Sequence, residues 1–166
     1  MRKSRNVALA GVFSALAVAL MWIGAISGFG TYASPMLAGI ALIPVGLALG
    51  KRYHLLSFVT VLLLSVLLSA DWEMNLLFIG LFGWYPVLAP LLERLKKPLK
   101  YTVKLLIFNA VIIGIEALVM LVIAPTGEAP WMLITLLALG NITFLFYDFI
   151  LPRVTIALML RLKLNR

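Results

Sequence analysis

The chain has 166 residues, of which 64% are hydrophobic and 12% are charged, and its mean hydropathy is +1.12. A water-soluble domain of this size is not so apolar, so we expect a protein embedded in a lipid bilayer. A spanning helix needs about 20 apolar residues, which leaves room for about six spans and none for a soluble catalytic domain.

The composition also argues against several kinds of site. The chain has no cysteine for a disulfide or a thiolate metal site, and its single histidine cannot form a metal cluster. The net charge of +8 is spread over the ends of apolar runs rather than gathered in one patch, which indicates membrane topology and not nucleic-acid binding. No zinc-protease, Walker or serine-hydrolase motif is present. We therefore expect neither an enzyme nor a bound cofactor or metal.

Six apolar runs follow one another and predict an all-α, polytopic bundle that forms one transmembrane domain over residues 1–166. The predicted spans are about 7–28, 35–50, 53–70, 75–92, 103–124 and 131–151, followed by a basic tail at 152–166. Pro35 suits the start of the second span, and Pro44 within that span should kink it. The fourth span is interrupted by Gly80, Gly83, Pro86 and Pro90. The tail is expected to be an interfacial helix or a frayed extension.

The charged residues predict how these spans cross the membrane. All 14 Lys and Arg residues fall at the N-terminus, after the second and fourth spans, or in the tail. The remaining loops carry Asp71, Glu73 and Glu128, with Trp72 and Trp131 as possible interfacial anchors. Because short cytoplasmic loops are enriched in Lys and Arg, we place both termini in the cytoplasm. His54, close to the basic pair after the second span, is expected at the interface.

Polar side chains also occur inside the last two spans. Asn109 and Glu116 share one helix face, and so do Asn141 and Asp148, because each pair is seven residues apart. If Lys104 and Arg153 mark the same membrane boundary, antiparallel packing of the two spans predicts contacts of Asn109 with Asp148 and of Glu116 with Asn141. Such pairs either hold helices together or, for the deeper Glu116 and Asn141, form a site for a cation or a proton.

The first span carries a face of small side chains that includes Gly11, Ala15 and Ala19. Small residues at three- and four-residue spacing allow another helix to approach closely. This face predicts either packing within the chain or docking of another membrane subunit.

The small-residue first helix and the six-span layout resemble the substrate-binding S components of energy-coupling factor (ECF) vitamin transporters. The similar segments are Gly11–Ala15 with Ala19, and Ser34–Pro44 through Lys51 and Arg52. The chain also resembles small six-helix membrane proteins of Gram-positive bacteria at positions 82–86, 105–109 and 140–148.

The ECF resemblance implies a bundle in the bacterial plasma membrane that captures a small molecule from outside. Separate coupling and ATPase subunits would energise uptake, and the coupling subunit would dock on Gly11, Ala15 and Ala19. Aromatic rings would stack on a flat heterocycle, and carboxylates would pair with a cation. The candidate binding residues carried over are Thr31, Tyr32, Trp72, Glu73, Asn75, Glu116, Trp131 and Asn141.

Two other functions also fit the sequence. One is a non-transporting membrane scaffold similar to the rod-shape protein MreD. The other is a stand-alone proton-coupled carrier that uses Glu116.

Overall fold

The computed structural model describes residues 2–27, 30–69, 71–123 and 130–161, and these ranges contain helices and no strand. A π-helical segment, Phe78–Phe82, follows α4, and a second, Val119–Ile123, follows α6. The α-helices are α1 (Arg2–Ser27), α2 (Ala33–Leu49), α3 (Lys51–Leu68), α4 (Trp72–Leu77), α5 (Tyr85–Leu92), α6 (Lys97–Leu118) and α7 (Pro130–Arg161).

Several of these helices are long and apolar enough to cross a bilayer. In the described part of the chain, five such stretches are Ser4–Ser27, Lys51–Leu68, Trp72–Leu92, Lys97–Leu121 and Ile134–Arg161. The apolar α2, at 17 residues, is shorter. It rises by about 26 Å, slightly less than the ~30 Å hydrocarbon core. The predicted all-α polytopic bundle is confirmed, and the chain is a multi-pass membrane protein.

Helix α2 lies at the centre of the bundle. It packs against α1 and α3, and also against the first π-helical segment, α5 and α7. On the side of α2 that faces α1 and α3 lies a core that includes Ala17, Leu42 and Phe78. On the other side is a core with several aromatic rings, including Phe82, Tyr85, Phe108, Phe144 and Tyr147. Phe108 and Phe144 stack with their ring centroids 4.6 Å apart.

The fourth predicted span is interrupted at its middle. After α4 and its π-helical segment the chain turns at Gly83 and Trp84, and α5 begins at Tyr85. The Trp84 indole donates hydrogen bonds to the carbonyl oxygens of Ile79 and Gly80, at 3.1 and 3.0 Å. These bonds satisfy backbone groups at the interruption, as a break inside a membrane protein requires.

The C-terminal helix continues beyond the predicted end of the sixth span. Pro152 lies inside α7, which runs without a break to Arg161. A proline removes one backbone hydrogen bond, and packing against neighbouring helices compensates for this loss in membrane proteins. Residues 152–161 therefore extend the last helix, rather than starting a separate tail.

Candidate functional site

A cavity of about 540 Å³ lies among α2, α4, α6 and α7. This volume is within the range of about 300–1,000 Å³ that small-molecule sites occupy. Most of the wall is apolar, with Met36, Phe82, Phe108 and Ile112 among its residues. Both π-helical segments contribute, through Phe82 from the first and Val119 and Met120 from the second. Such segments often occur at functional sites.

Four of the predicted binding residues line this cavity: Tyr32, Glu73, Glu116 and Trp131. Tyr32 immediately precedes α2, Glu73 lies in the first turn of α4, Glu116 is near the end of α6, and Trp131 is near the start of α7. They are far apart in sequence, and the antiparallel order of the helices brings them to the same end of the bundle. We call this the Tyr32 end.

Tyr32 and Glu73 are joined directly, because the Tyr32 hydroxyl donates a hydrogen bond to a Glu73 carboxylate oxygen. Burial raises the pKa of Tyr32, and this hydrogen bond and the negative charges of Glu73, Glu116 and Asp71 raise it further. Tyr32 is therefore a neutral hydrogen-bond donor at physiological pH. The Tyr32 hydroxyl is thus close enough to these three carboxylates to be affected by their charge.

Thr31 does not line the cavity but links two connections at the Tyr32 end. Its hydroxyl donates to one Asp71 carboxylate oxygen at 3.0 Å, while the other accepts the Met74 backbone N–H at 2.9 Å. Asp71 thus caps the start of α4 and holds the α1–α2 connection against the α3–α4 connection. This cap fixes the helical turn that carries Glu73.

Trp72 and Asn75 do not line the cavity. Trp72 is 53% exposed, which is compatible with the alternative of an interfacial anchor. Asn75 is 1% exposed, and its side-chain amide donates to the Ser69 carbonyl oxygen at 3.3 Å. Asn75 therefore stabilises the α3–α4 connection.

The polar residues of α6 and α7 pair differently from the prediction. Asn109 and Asn141 exchange two side-chain hydrogen bonds, at 2.9 and 2.8 Å. The predicted contacts of Asn109 with Asp148 and of Asn141 with Glu116 are therefore wrong. Asn141 acts as an interhelical link next to the cavity-lining Gly140, and Glu116 contributes to the cavity wall.

Asp148 belongs to a buried cluster at the opposite end of the bundle. Both of its carboxylate oxygens accept from the Lys104 ammonium, at 2.8 and 2.7 Å, and one also accepts from the Tyr85 hydroxyl at 2.5 Å. Lys104 is 2% exposed and makes its third hydrogen bond to Glu93 at 2.5 Å. Glu93 also accepts from Lys100 at 2.8 Å, and these two lysines lower the pKa of the Glu93 carboxyl. We call these five residues the Lys104 cluster.

The position of Lys104 explains the error in register. The prediction took Lys104 and Arg153 as markers of one membrane boundary. Lys104 is in fact buried within α6, and Arg153 lies over the ring of Phe149, 3.6 Å from its centroid. Lys104 shares its helix face with the buried Phe108, so an inward position was readable from the apolar periodicity of α6.

His54 is also buried, at 4% exposed, although an interfacial position was expected. Its two ring nitrogens lie 3.2 Å from the Leu42 carbonyl oxygen and 3.1 Å from the Gly83 carbonyl oxygen. His54 thereby links α3 to α2 and to the turn before α5. In the sequence His54 lies two residues after Arg52, and this position beside basic residues did not indicate that its ring is buried.

The small residues of α1 point in two directions. Ser14, Ala17 and Met21 are buried toward the rest of the bundle. Gly11, Ala15 and Ala19 are exposed, and a side chain at Gly11 would meet no atom within 4 Å. Among the described residues, nothing in the chain covers this second face, which we call the Ala15 face.

No protein-family model matches this chain, and no curated protein or solved structure matches it either.

Proposed function

We propose that the protein is the substrate-capture subunit of an ECF-type importer for a vitamin or another micronutrient in a bacterial plasma membrane. Separate coupling and ATPase subunits would energise it. The observation that carries the proposal is the cavity, because residues from α2, α4, α6 and α7, from both π-helical segments and from the α1–α2 connection converge on it. An apolar cavity with a few polar groups at its wall is the usual form of a small-molecule site.

The Ala15 face supports the second half of the proposal. A coupling subunit needs a flat helix face on which its own helices can pack closely, and Gly11, Ala15 and Ala19 offer small side chains at the required spacing. The buried face of the same helix already holds α1 in the bundle. Docking on the Ala15 face would therefore leave the fold of this chain intact.

The decisive experiment compares two tryptophan substitutions at exposed positions. Ala15→Trp adds bulk on the Ala15 face, and Leu67→Trp, at an 80% exposed position of α3, serves as the matched control. Both variants and the parent are purified gently from the native cells and studied by native mass spectrometry. We expect the parent and Leu67→Trp to retain a coupling protein and ATPases, and Ala15→Trp to lose them.

Two results would contradict the proposal. If Ala15→Trp keeps the same partners and the same uptake as the parent, the Ala15 face is not a docking surface. If the parent carries cell-wall or division proteins and no ATPase, the scaffold function takes the place of the importer.

A further inference from the structure

The charges around the cavity all have one sign. Glu73 and Glu116 are the charged residues among the described residues of its wall, and Asp71, which accepts from Thr31, lies at the same end of the bundle. The sequence contains no Lys, Arg or His from 6 to 50, from 55 to 93 or from 105 to 152. The chain therefore brings no basic side chain from these segments to the Tyr32 end.

The carboxylates of the Lys104 cluster, at the other end of the bundle, differ from those of the cavity because they are paired with lysines. There the carboxylates of Asp148 and Glu93 are neutralised by Lys104 and Lys100 through short ion pairs. A carboxylate at membrane depth is costly without a positive charge nearby, which explains the lysine at that end. At the Tyr32 end the segments that line the cavity, all within 6–50, 55–93 and 105–152, contribute two carboxylates, and their sequence contains no Lys or Arg.

The two carboxylates approach the cavity from different walls. Glu73 is held by α4 and by the Tyr32 hydroxyl, and Glu116 is presented by α6. Two negative charges on the wall of one cavity repel each other and would repel an anionic ligand. A cation between them is attracted by both, and the acidic residues of the Tyr32 end would raise its local concentration.

The uncharged part of the cavity wall indicates which chemical groups the cation has besides its positive charge. Trp131 provides exposed aromatic surface, and Val119, Met120 and Leu139 provide accessible aliphatic surface. Phe82 and Phe108 lie behind this surface, at 0% and 2% exposed. Aromatic faces attract both flat apolar groups and cations. A small hydrated metal ion would leave most of this surface unused.

We infer that the cavity binds an organic cation, an amine or a positively charged heterocycle with an apolar body. The inference rests on the proposed capture function and names the class of its substrate. Glu73 and Glu116 hold the positive charge, and the aromatic and aliphatic wall holds the body.

The test uses three probes that share a phenylbutyl body and differ in charge: 4-phenylbutylamine, 4-phenylbutanol and 4-phenylbutyrate. Their binding to the full chain in phosphatidylcholine nanodiscs is measured by calorimetry, with empty nanodiscs as the reference. We expect the amine to bind at least about tenfold more tightly than the alcohol, the typical effect of a charge-assisted contact, and the carboxylate to bind most weakly.

Three variants assign the preference to the cavity. Glu73→Gln and Glu116→Gln should each lower the affinity for the amine by about tenfold and leave that for the alcohol unchanged. Glu93→Gln removes a carboxylate of the Lys104 cluster and should leave amine binding as it is. Thermal unfolding of each variant checks that the bundle is intact.

The inference is overturned if the alcohol or the carboxylate binds as tightly as the amine, if both cavity variants keep the full preference for the amine, or if no probe binds. The partner experiment with Ala15→Trp is independent of ligand charge. Copurified ATPases together with a failed charge preference would therefore leave the importer in place and remove only the substrate class.

Discussion

Lys104 is the residue on which the buried charges at one end of the bundle depend. Its ammonium has three N–H donors, and all three are directed to carboxylate oxygens of Asp148 and Glu93. Asp148 also accepts from Tyr85, so three helices and the α5–α6 turn meet at this point. Removing one partner of a buried ion pair leaves the other charge uncompensated, which costs more than the pair itself contributes.

We therefore expect Lys104→Met to lower the free energy of unfolding by about 3–5 kcal/mol, the range for breaking a buried pair. The double variant Lys104→Met, Asp148→Asn removes both charges and should lose less than the sum of the single variants. Equilibrium unfolding in detergent micelles measures all three. Lys100→Met is the matched control, because Lys100 pairs with the 37% exposed side chain of Glu93, where solvent screens the ion pair, so its loss should cost much less stability than the loss of Lys104. Equal losses for the two lysine variants would show that burial of the Lys104 charge is not what stabilises the cluster.

At the scale of single side chains, the sequence predicted the polar residues better than their partners. Tyr32, Glu73, Glu116 and Trp131 were among the binding residues that the ECF resemblance implied, and all four line one cavity. The partner of Asp148 was missed because Lys104 was counted as a boundary residue. A lysine has the same appearance in a sequence whether its long side chain reaches water or a buried carboxylate.

The last two long helices, α6 and α7, are set in register by the reciprocal hydrogen bonds between Asn109 and Asn141. The chain has no cysteine, so cysteine pairs can test this register directly. We expect Asn109→Cys with Asn141→Cys to form a disulfide under mild oxidation, because the two side chains are in contact. The measurement is labelling with a maleimide mass tag after oxidation. Formation of the disulfide prevents both cysteines from reacting with the tag.

The control pair for this test is Glu116→Cys with Asn141→Cys. In α6, Glu116 is seven residues, or about 10 Å, beyond Asn109, which is too far for a disulfide if Asn109 is opposite Asn141. Rapid oxidation of the control pair, with free thiols in the first pair, would instead support the register predicted from the sequence.

Helix α2 approaches the first π-helical segment very closely, and Gly39 makes this possible. A Cβ at Gly39 would clash with the Phe82 backbone carbonyl, whereas a Cβ at Gly11 would meet nothing within 4 Å. We expect Gly39→Ala to lower the free energy of unfolding by about 1–3 kcal/mol through overpacking. Gly11→Ala should stabilise α1 by up to about 1 kcal/mol. Thermal unfolding compares them, and a tolerated Gly39→Ala would mean that the two segments are further apart.

At the scale of helices, the sequence predicted where the helices are, but only some of their interruptions and ends. The apolar runs predicted every spanning element, and the glycines and prolines of the fourth run indicated its interruption. The continuation of α7 through Pro152 was not predicted, because a proline usually signals a helix end and only the packing around it decides otherwise. The predicted depth of α6 relative to α7 was wrong because the alignment of the two helices used Lys104 as a boundary residue, and Lys104 is buried.

Over the whole molecule, two hydrogen bonds show where the connections lie. Thr31 bonds to Asp71 and Tyr32 bonds to Glu73, so the α1–α2 and α3–α4 connections meet at one end. The chain must then travel to the other end and back through α2 and α3. Although α2 is short for a spanning helix, local thinning of the bilayer can accommodate a mismatch of a few ångströms.

This arrangement predicts how four positions are exposed when the protein is in a cell membrane. Single cysteines at Thr31 and Trp72 should react with a membrane-impermeant maleimide on intact cells, because the connections that carry no Lys or Arg face outward under the positive-inside rule. Cysteines at Lys51 and Lys96, in the basic connections, should react only after the cells are permeabilised. Reaction of Lys51→Cys together with Thr31→Cys on intact cells would mean that α2 does not cross the bilayer. Labelling of Lys51 and Lys96 alone on intact cells would mean that the bundle is inverted, and the cavity would then open toward the cytoplasm, where a capture subunit for import has no use for it.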